Sequence, residues 1–149
     1  RLVIVGVGPL KKNIQDRIVN EGLQDHIILL GKVDYEHLIA LYTNAIVTIV
    51  PSIWSENCPL VAIESLSCGT PIIAAKSGGL TEIVDASKAG LLYERNNIEE
   101  LSNIMIKINK DDTFYNELKE KAKLAFENCF SPKVYLKKYY NLINNTKKY

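Results

Sequence analysis

The sequence predicts an α/β domain, a Rossmann-like parallel sheet with helices on both faces, and two observations predict it. Short apolar runs alternate with amphipathic segments along the first two thirds of the chain. Those runs are continuously apolar rather than alternating, the pattern of strands covered on both sides. At 149 residues, 47% hydrophobic and 23% charged, the chain has the make-up of a single globular domain with a proper core.

Each element has its own signal. "LVIVGVG" reads as the first strand, ending at Gly6 and Gly8, and "PLKKNIQDRIVNEGL" as a helix, with Pro9 in its first turn, Ile14, Ile18 and Leu23 near helical spacing and Gly22 as its C-cap. "HIILLGKV" is the second strand and "YEHLIALYTNA" a helix that turns Leu38, Leu41 and Tyr42 inward. "AIVTIVPS" is the third strand and leads into a helix within "SENCPLVAIESLSCG". "PIIAAKS", "GLTEIVDAS" and "AGLLYE" follow as strand, short helix and strand. Beyond Asn96 only helical patterns remain: "NIEELSNIMIKIN", "DDTFYNELKEKAKLAFENCF" and "PKVYLKKYYNLINNTKK". In the second of these Leu118, Ala122, Ala125, Phe126 and Cys129 form a stripe expected to pack on the sheet.

Composition narrows the function classes. A net charge of +1 gives no global attraction to nucleic acid. The apolar runs fall far short of the roughly 20 residues that span a bilayer, and no cleavable leader pattern opens the chain. Cys58, Cys68 and Cys129 are odd in number and lack metal-ligand spacing, so neither a disulfide framework nor a zinc site is indicated, and a reducing cytoplasm is the expected setting. The abrupt start at "RLVIVGVGPL" suggests a piece of a longer polypeptide.

In open parallel sheets, ligands sit beyond the carboxyl ends of the strands. That rule points to Gly6–Leu10, Gly31–Asp34, Ser52–Leu60 and Ser77–Leu80. The first of these, "GVGPLK", carries Lys11 where a dinucleotide fingerprint needs its third glycine, so a tight strand-to-helix turn is the better reading. The third is more informative. Pro59, at or near the first helical position, leaves the amides of Leu60 and Val61 pointing out of a helix start, which suits a phosphate. Glu56 precedes that turn. Glu64 lies five residues beyond Pro59, about 7.5 Å along the axis, among Val61, Ala62, Ile63 and Leu66. A carboxylate in such surroundings needs a partner, either a protein donor or a ligand hydroxyl. Two carboxylates on either side of an anion site suit a molecule with polyols at both ends and a diphosphate between them, such as a nucleotide sugar.

The stretch "SIWSENCPLVAIESLSCGTPIIAAKSGGLTEIV", with Glu56 and Glu64 in an E-x7-E spacing, resembles the donor-binding signature of retaining GT-B glycosyltransferases of the glycosyltransferase family 4 group. "LVIVGVGPL", "IILLGKV" and "AGLLYE" resemble further segments of that family's C-terminal domain in the same order, so the likeness covers nearly the whole chain. It implies the C-terminal half of a GT-B fold with extra C-terminal helices. Residues 1–149 would form one nucleotide-sugar-binding domain of a longer chain whose first strand-helix unit, with its "GR…KG" segment, and N-terminal acceptor domain lie elsewhere. By the resemblance, Glu64 would hold the nucleotide ribose and Glu56 the donor sugar, Glu56 being the catalytic candidate. The amides of Asn57, Cys58, Pro59, Leu60 and Val61 would surround the distal phosphate, although Pro59 itself has no N–H to give. Gly31–Val33, with Val33 the candidate, would pass near the base, and Gly6 and Gly8 would leave room at the phosphate end. Lys32 and Lys76 are basic candidates by loop position, each more readily read as a solvated charge.

The activity so implied is retaining, metal-independent transfer of a sugar, of the hexosyltransferase type, to a saccharide or lipid-linked acceptor, as in polysaccharide biosynthesis. The only cofactor-like molecule is the nucleotide-sugar donor, and the isolated fragment is expected to be inactive. "KDD" at 110–112 falls between helices rather than at a strand end. Other chemistries have weak signals: His26 and His37 lack a nucleophile partner, and Cys58 at a helix start is readable either as a reactive thiol or as packing. The tail carries Lys133, Lys137, Lys138, Lys147 and Lys148 with Tyr139 and Tyr140 and no acid, a composition compatible with peripheral contact at the inner face of a membrane. In the resembling family the terminal helix crosses back to the acceptor domain instead. The alternative from another class is a non-catalytic nucleotide- or phosphate-binding regulatory module on the same frame. A receiver-type domain would need clustered acids at the end of its first strand, where "VIVGVG" has none.

Overall fold

The computed structural model describes residues 1–146, so Lys147 and Lys148 of the basic tail lie outside the described residues. Among the described residues five strands and seven α-helices follow one another in the expected order. The chain, read from its sequence as one domain, divides into two compact units, Arg1–Ala40 and Leu41–Tyr149.

In the Arg1–Ala40 unit, β1 (Leu2–Val5) and β2 (Ile27–Gly31) pair in parallel, with α1 (Lys11–Asn20) between them in sequence. The register runs from Leu2 opposite Ile27 to Val5 opposite Gly31, and it shifts between Ile4 and Val5. Gly31 makes the shift possible through its φ of +72°, a conformation that costs glycine nothing. At the end of α1, Gly22 adopts φ +67° and its amide bonds the Val19 carbonyl while Leu23 bonds Ile18, which confirms the expected glycine stop. Pro9 sits in the turn before α1 rather than inside its first turn. The expected continuous burial of the first strand is not observed. Leu2, Val3 and Val5 are each more than a third exposed, because two strands and one helix within the unit supply too little surface to cover both faces of the ribbon.

α2 (Tyr35–Asn44) runs across the boundary between the units. In the Leu41–Tyr149 unit, β3 (Thr48–Val50), β4 (Ile72–Ala75) and β5 (Gly90–Tyr93) form a parallel sheet with β4 in the centre. α3 (Leu60–Ser67) and α4 (Gly79–Ser87) connect these strands, and α5 (Ile98–Lys110), α6 (Asp112–Ala125) and α7 (Pro132–Thr146) follow. Alternate residues of β4 serve the two faces. Ile72 and Ala74 join Ala62, Leu66, Leu80 and Ala122 in one core, and Ile73 and Ala75 join Tyr93, Ile108 and Leu118 in the other. All four β4 side chains are buried, as a central parallel strand requires. α6 contributes to both cores, Leu118 to one and Ala122 and Ala125 to the other, in line with its expected stripe.

The helical tail is punctuated by caps. The Asn97 side chain accepts from the Glu100 amide at 3.1 Å while the Glu100 carboxylate accepts from the Glu94 amide at 2.8 Å. Asp111 caps α6 in the same way through the Phe114 amide, 2.9 Å. α6 then widens into a π-helical turn, Phe126–Phe130, closed by the Ser131 amide on the Phe126 carbonyl at 2.8 Å. Among the described residues no helix is long and apolar enough to cross a membrane.

Candidate functional site

The loop that leaves β3 and enters α3 carries most of the expected site. It is tied down from three directions. The Ser77 hydroxyl donates to the Trp54 carbonyl, Arg95 Nη1 donates to the Ile53 carbonyl at 3.3 Å, and the Gly79 amide donates to the Glu56 carbonyl at 2.6 Å. The last contact depends on two glycines. Gly78 adopts φ +43°, and a Cβ on Gly79 would lie 2.1 Å from the Asn57 carbonyl oxygen. The start of α4 therefore lies directly against the backbone of Glu56 and Asn57, an approach that only a residue without a side chain allows.

Glu56 is half-buried, and the Ser52 hydroxyl, four residues earlier in the same loop, donates to its Oε1. Asn57 and Cys58 are exposed, Pro59 is buried, and Leu60 and Val61 stand in solvent at the start of α3. Pro59 is the N-cap residue, one position before the helix, with φ −70° and ψ 101°. No side chain caps this helix, so its first amides are left for another partner.

Glu64 stands one turn further into α3 and is half-buried. Its Oε2 accepts from the Tyr42 hydroxyl at 3.3 Å. The partner that the sequence calls for is thus supplied by a protein donor, a phenol. Glu56, Asn57, Cys58, Pro59, Leu60, Val61 and Glu64 all belong to the Leu41–Tyr149 unit, and the loop and first turns of α3 bring them into one continuous stretch. Lys76 forms an ion pair with Glu94, and that hydrogen bond holds its ammonium above the ordinary lysine value.

Gly6, Gly8 and Val33 belong to the other unit. The Gly6 amide bonds the Gly31 carbonyl at 2.7 Å with φ +130°, the Gly8 carbonyl accepts from the Lys11 amide, and Val33 is half-buried just before α2. Asp34 caps α2, accepting from the His37 amide at 2.9 Å with His37 Nδ1 2.7 Å from the same oxygen, and these bonds hold the Asp34 carboxyl below its usual range. His37 is thereby accounted for as a partner of the cap. Among the described residues no three His, Cys, Asp or Glu side chains converge to hold a metal ion.

The sequence profile described as "Glycosyl transferases group 1" matches residues 1–125. The chain belongs to this glycosyltransferase family. A curated relative, the uncharacterized glycosyltransferase MJ1178 of Methanocaldococcus jannaschii, is 34% identical over 128 residues, which are 86% of this chain and 36% of that protein. This glycosyltransferase chain thus spans about a third of the relative's length. Among solved structures, the sucrose-phosphate synthase of Thermosynechococcus elongatus superposes with a TM-score of 0.80 at 28% identity, covering 97% of this chain and 39% of that one. Anabaena Alr3699/HepE in complex with UDP-glucose gives a TM-score of 0.68 at 26% identity, covering 83% and 36%. With these neighbours, the parallel strands and flanking helices are those of the Rossmann-like C-terminal half of a GT-B glycosyltransferase.

The spacing of Glu56 and Glu64 is visible in the sequence, but what holds their side chains is not. Ser77, Arg95 and Tyr42 act through contacts between distant residues that leave no local pattern. Only the adjacent pair Gly78–Gly79, at a strand-to-helix turn, carried a signal that backbone would approach there.

Proposed function

We propose that this chain is the donor-binding half of a retaining glycosyltransferase of the glycosyltransferase family 4 group, and that it binds a nucleotide-diphosphate sugar without a metal ion. The observation that carries the reading is the arrangement around α3: a helix start with no side-chain cap, Glu56 before it in a braced loop, and Glu64 one turn inside it. Glu64 accepts hydrogen bonds from the ribose hydroxyls, and Glu56 from the hydroxyls of the donor sugar. The amides of Leu60 and Val61 face the distal phosphate. As the sugar leaves, they stabilise charge growing on the diphosphate, a fixed dipole already aimed where the charge appears. Ser52 holds one oxygen of Glu56 and so directs the other. Lys76 is engaged by Glu94 and is not given a part. Gly6, Gly8 and Val33 enter the reading through the family resemblance alone. UDP-glucose in the Anabaena neighbour supports a nucleotide-sugar donor.

Ligand-observed NMR of the full-length protein against UDP-, GDP- and ADP-sugars, with Glu64→Ala alongside, tests the reading. Saturation transfer to the ribose protons of one nucleotide, lost in the variant, is the expected result. Transfer that survives Glu64→Ala would remove Glu64 from the ribose.

A second reading concerns localisation. Tyr135, Leu136, Tyr139, Tyr140 and Leu142 of α7 are exposed, with Tyr135 and Tyr139 stacked at 6.2 Å and Lys133, Lys137 and Lys138 beside them. A helix of this make-up suits peripheral contact with an anionic membrane surface from the cytoplasmic side, where a lipid-linked acceptor would be met.

A further inference from the structure

Glu64 is held by a phenol whose own backbone is fixed by a set of hydroxyl groups, none of which the donor reading requires. Tyr42, in the last turn of α2 and 22 residues before Glu64, is buried and gives its phenol hydrogen to Glu64 Oε2. The Tyr42 backbone is fixed in turn, because its carbonyl accepts from the Thr70 hydroxyl at 2.6 Å. The Thr70 carbonyl accepts from the Ser65 hydroxyl at 3.0 Å, and Ser65 Oγ lies 2.8 Å from Thr48 Oγ1. Ser65 and Thr70 are buried. Polar groups from α3, β3 and the turn before β4 therefore fix the Tyr42 backbone, from which the phenol reaches Glu64.

The chemistry of the contact explains the choice of residue. A carboxylate offers about four acceptor sites on its two oxygens. A lysine at this position would neutralise Glu64 and compete with any hydroxyl brought to it. A phenol occupies one site on Oε2, leaves the negative charge in place, and removes the rotamer freedom that a long acidic side chain would otherwise lose only on binding. Oε1 is then presented in one direction before the ligand arrives.

We propose that Tyr42 is a positioning residue for Glu64: it holds Oε2 so that the carboxylate meets a ribose diol, and it thereby sets the preference for a ribonucleoside over a 2′-deoxyribonucleoside diphosphate. The proposal rests on the reading of Glu64 as the ribose acceptor. Titration calorimetry on the full-length protein tests it with UDP and 2′-deoxy-UDP, and with the corresponding ADP and GDP pairs because the base is open. Tyr42→Phe is expected to weaken the ribonucleotide about tenfold and the deoxynucleotide much less, narrowing the ratio between them while the melting temperature stays close to that of the parent. Combined with Glu64→Ala, Tyr42→Phe is expected to add no further loss. Equal weakening of both nucleotides, or no weakening, would overturn the positioning role while leaving Glu64 at the ribose. If Glu64→Ala alone changes nothing, or the parent protein binds none of the three diphosphates, the ribose reading itself falls and the role of Tyr42 falls with it.

Discussion

Replacing Gly79 by alanine should uncouple the loop that carries Glu56 from the start of α4. The added Cβ would lie 2.1 Å from the Asn57 carbonyl oxygen, 2.8 Å from its carbonyl carbon and 3.0 Å from the Glu56 carbonyl oxygen. An ordinary contact begins at 3.4 Å, so one backbone must retreat by about 1.3 Å or more. Backbone is what it meets, and no flexible side-chain end can yield in its place. Overpacking of this kind costs about 1 to 3 kcal/mol. The retreat also breaks or stretches the 2.6 Å bond from the Gly79 amide to the Glu56 carbonyl, worth about 1 kcal/mol. A combined loss of about 3 kcal/mol corresponds to a fall in melting temperature of roughly 10 °C for a protein of this size. Thermal unfolding by circular dichroism reads that fall, and titration with nucleotide sugar reads the displacement of Glu56 as weakened donor binding. Gly8→Ala is the stability control, since a Cβ there meets no atom within 4 Å and should leave the melting temperature unchanged. A Gly79→Ala protein melting within about 2 °C of its parent would refute the argument, because the loop would then have accommodated the methyl group at almost no cost.

Two other perturbations test separate parts of the structure. Burial of Tyr93 on β5 pushes its phenol above the ordinary tyrosine value. The neutral form is favoured in the folded chain, so this contribution to stability is complete below the unfolded pKa and is lost as pH rises from there through the folded value. Tyr93→Phe should flatten the loss of stability in urea titrations above about pH 10, and an unchanged alkaline slope would count against it. For α7, exchanging Lys133, Lys137 and Lys138 for glutamine should weaken sedimentation of the full-length protein with phosphatidylglycerol vesicles by on the order of a hundredfold, at about 1 kcal/mol per lysine. Equal sedimentation of parent and variant would remove the membrane contact.

The elements were legible where one physical signal decided each of them. "GLTEIVDAS" coincides with α4, Asn97 and Asp111 start their helices through side-chain caps, and Gly22 ends α1 in the left-handed conformation. The π-helical turn was not legible. Phe126 and Cys129 continue the spacing of Ala122 and Ala125 closely enough that the stripe reads as one helix. What interrupts it is Ser131, forced into an extended conformation before Pro132, with its amide reaching back five residues to Phe126. The exposure of β1 was not legible either, because an apolar run records that a strand favours burial and says nothing of how much structure its own unit supplies to cover it.

The candidate site divides along the same line. The groups proposed to meet the donor are close in sequence, Glu56 to Glu64, and their spacing around a helix start could be read directly. Of the groups that orient them, Ser52 lies four residues before Glu56, but the others are distant: Gly79 is 23 residues beyond Glu56, and Tyr42 is 22 before Glu64. Both sets follow from the same packing. β4 is buried on both faces, so the segments around its two ends bring α3 and α4 to the sheet from different parts of the chain. At one end the helix start is pressed against the loop, and a residue without a side chain is required. At the other, Thr70 in the turn before β4 holds the carbonyl of buried Tyr42, and the Tyr42 hydroxyl reaches Glu64. Cores that exclude side-chain polarity thus hold backbone and hydroxyl groups rigidly at their margins. Two carboxylates acquire fixed directions from neighbours that lie, Ser52 apart, outside the stretch that carries them.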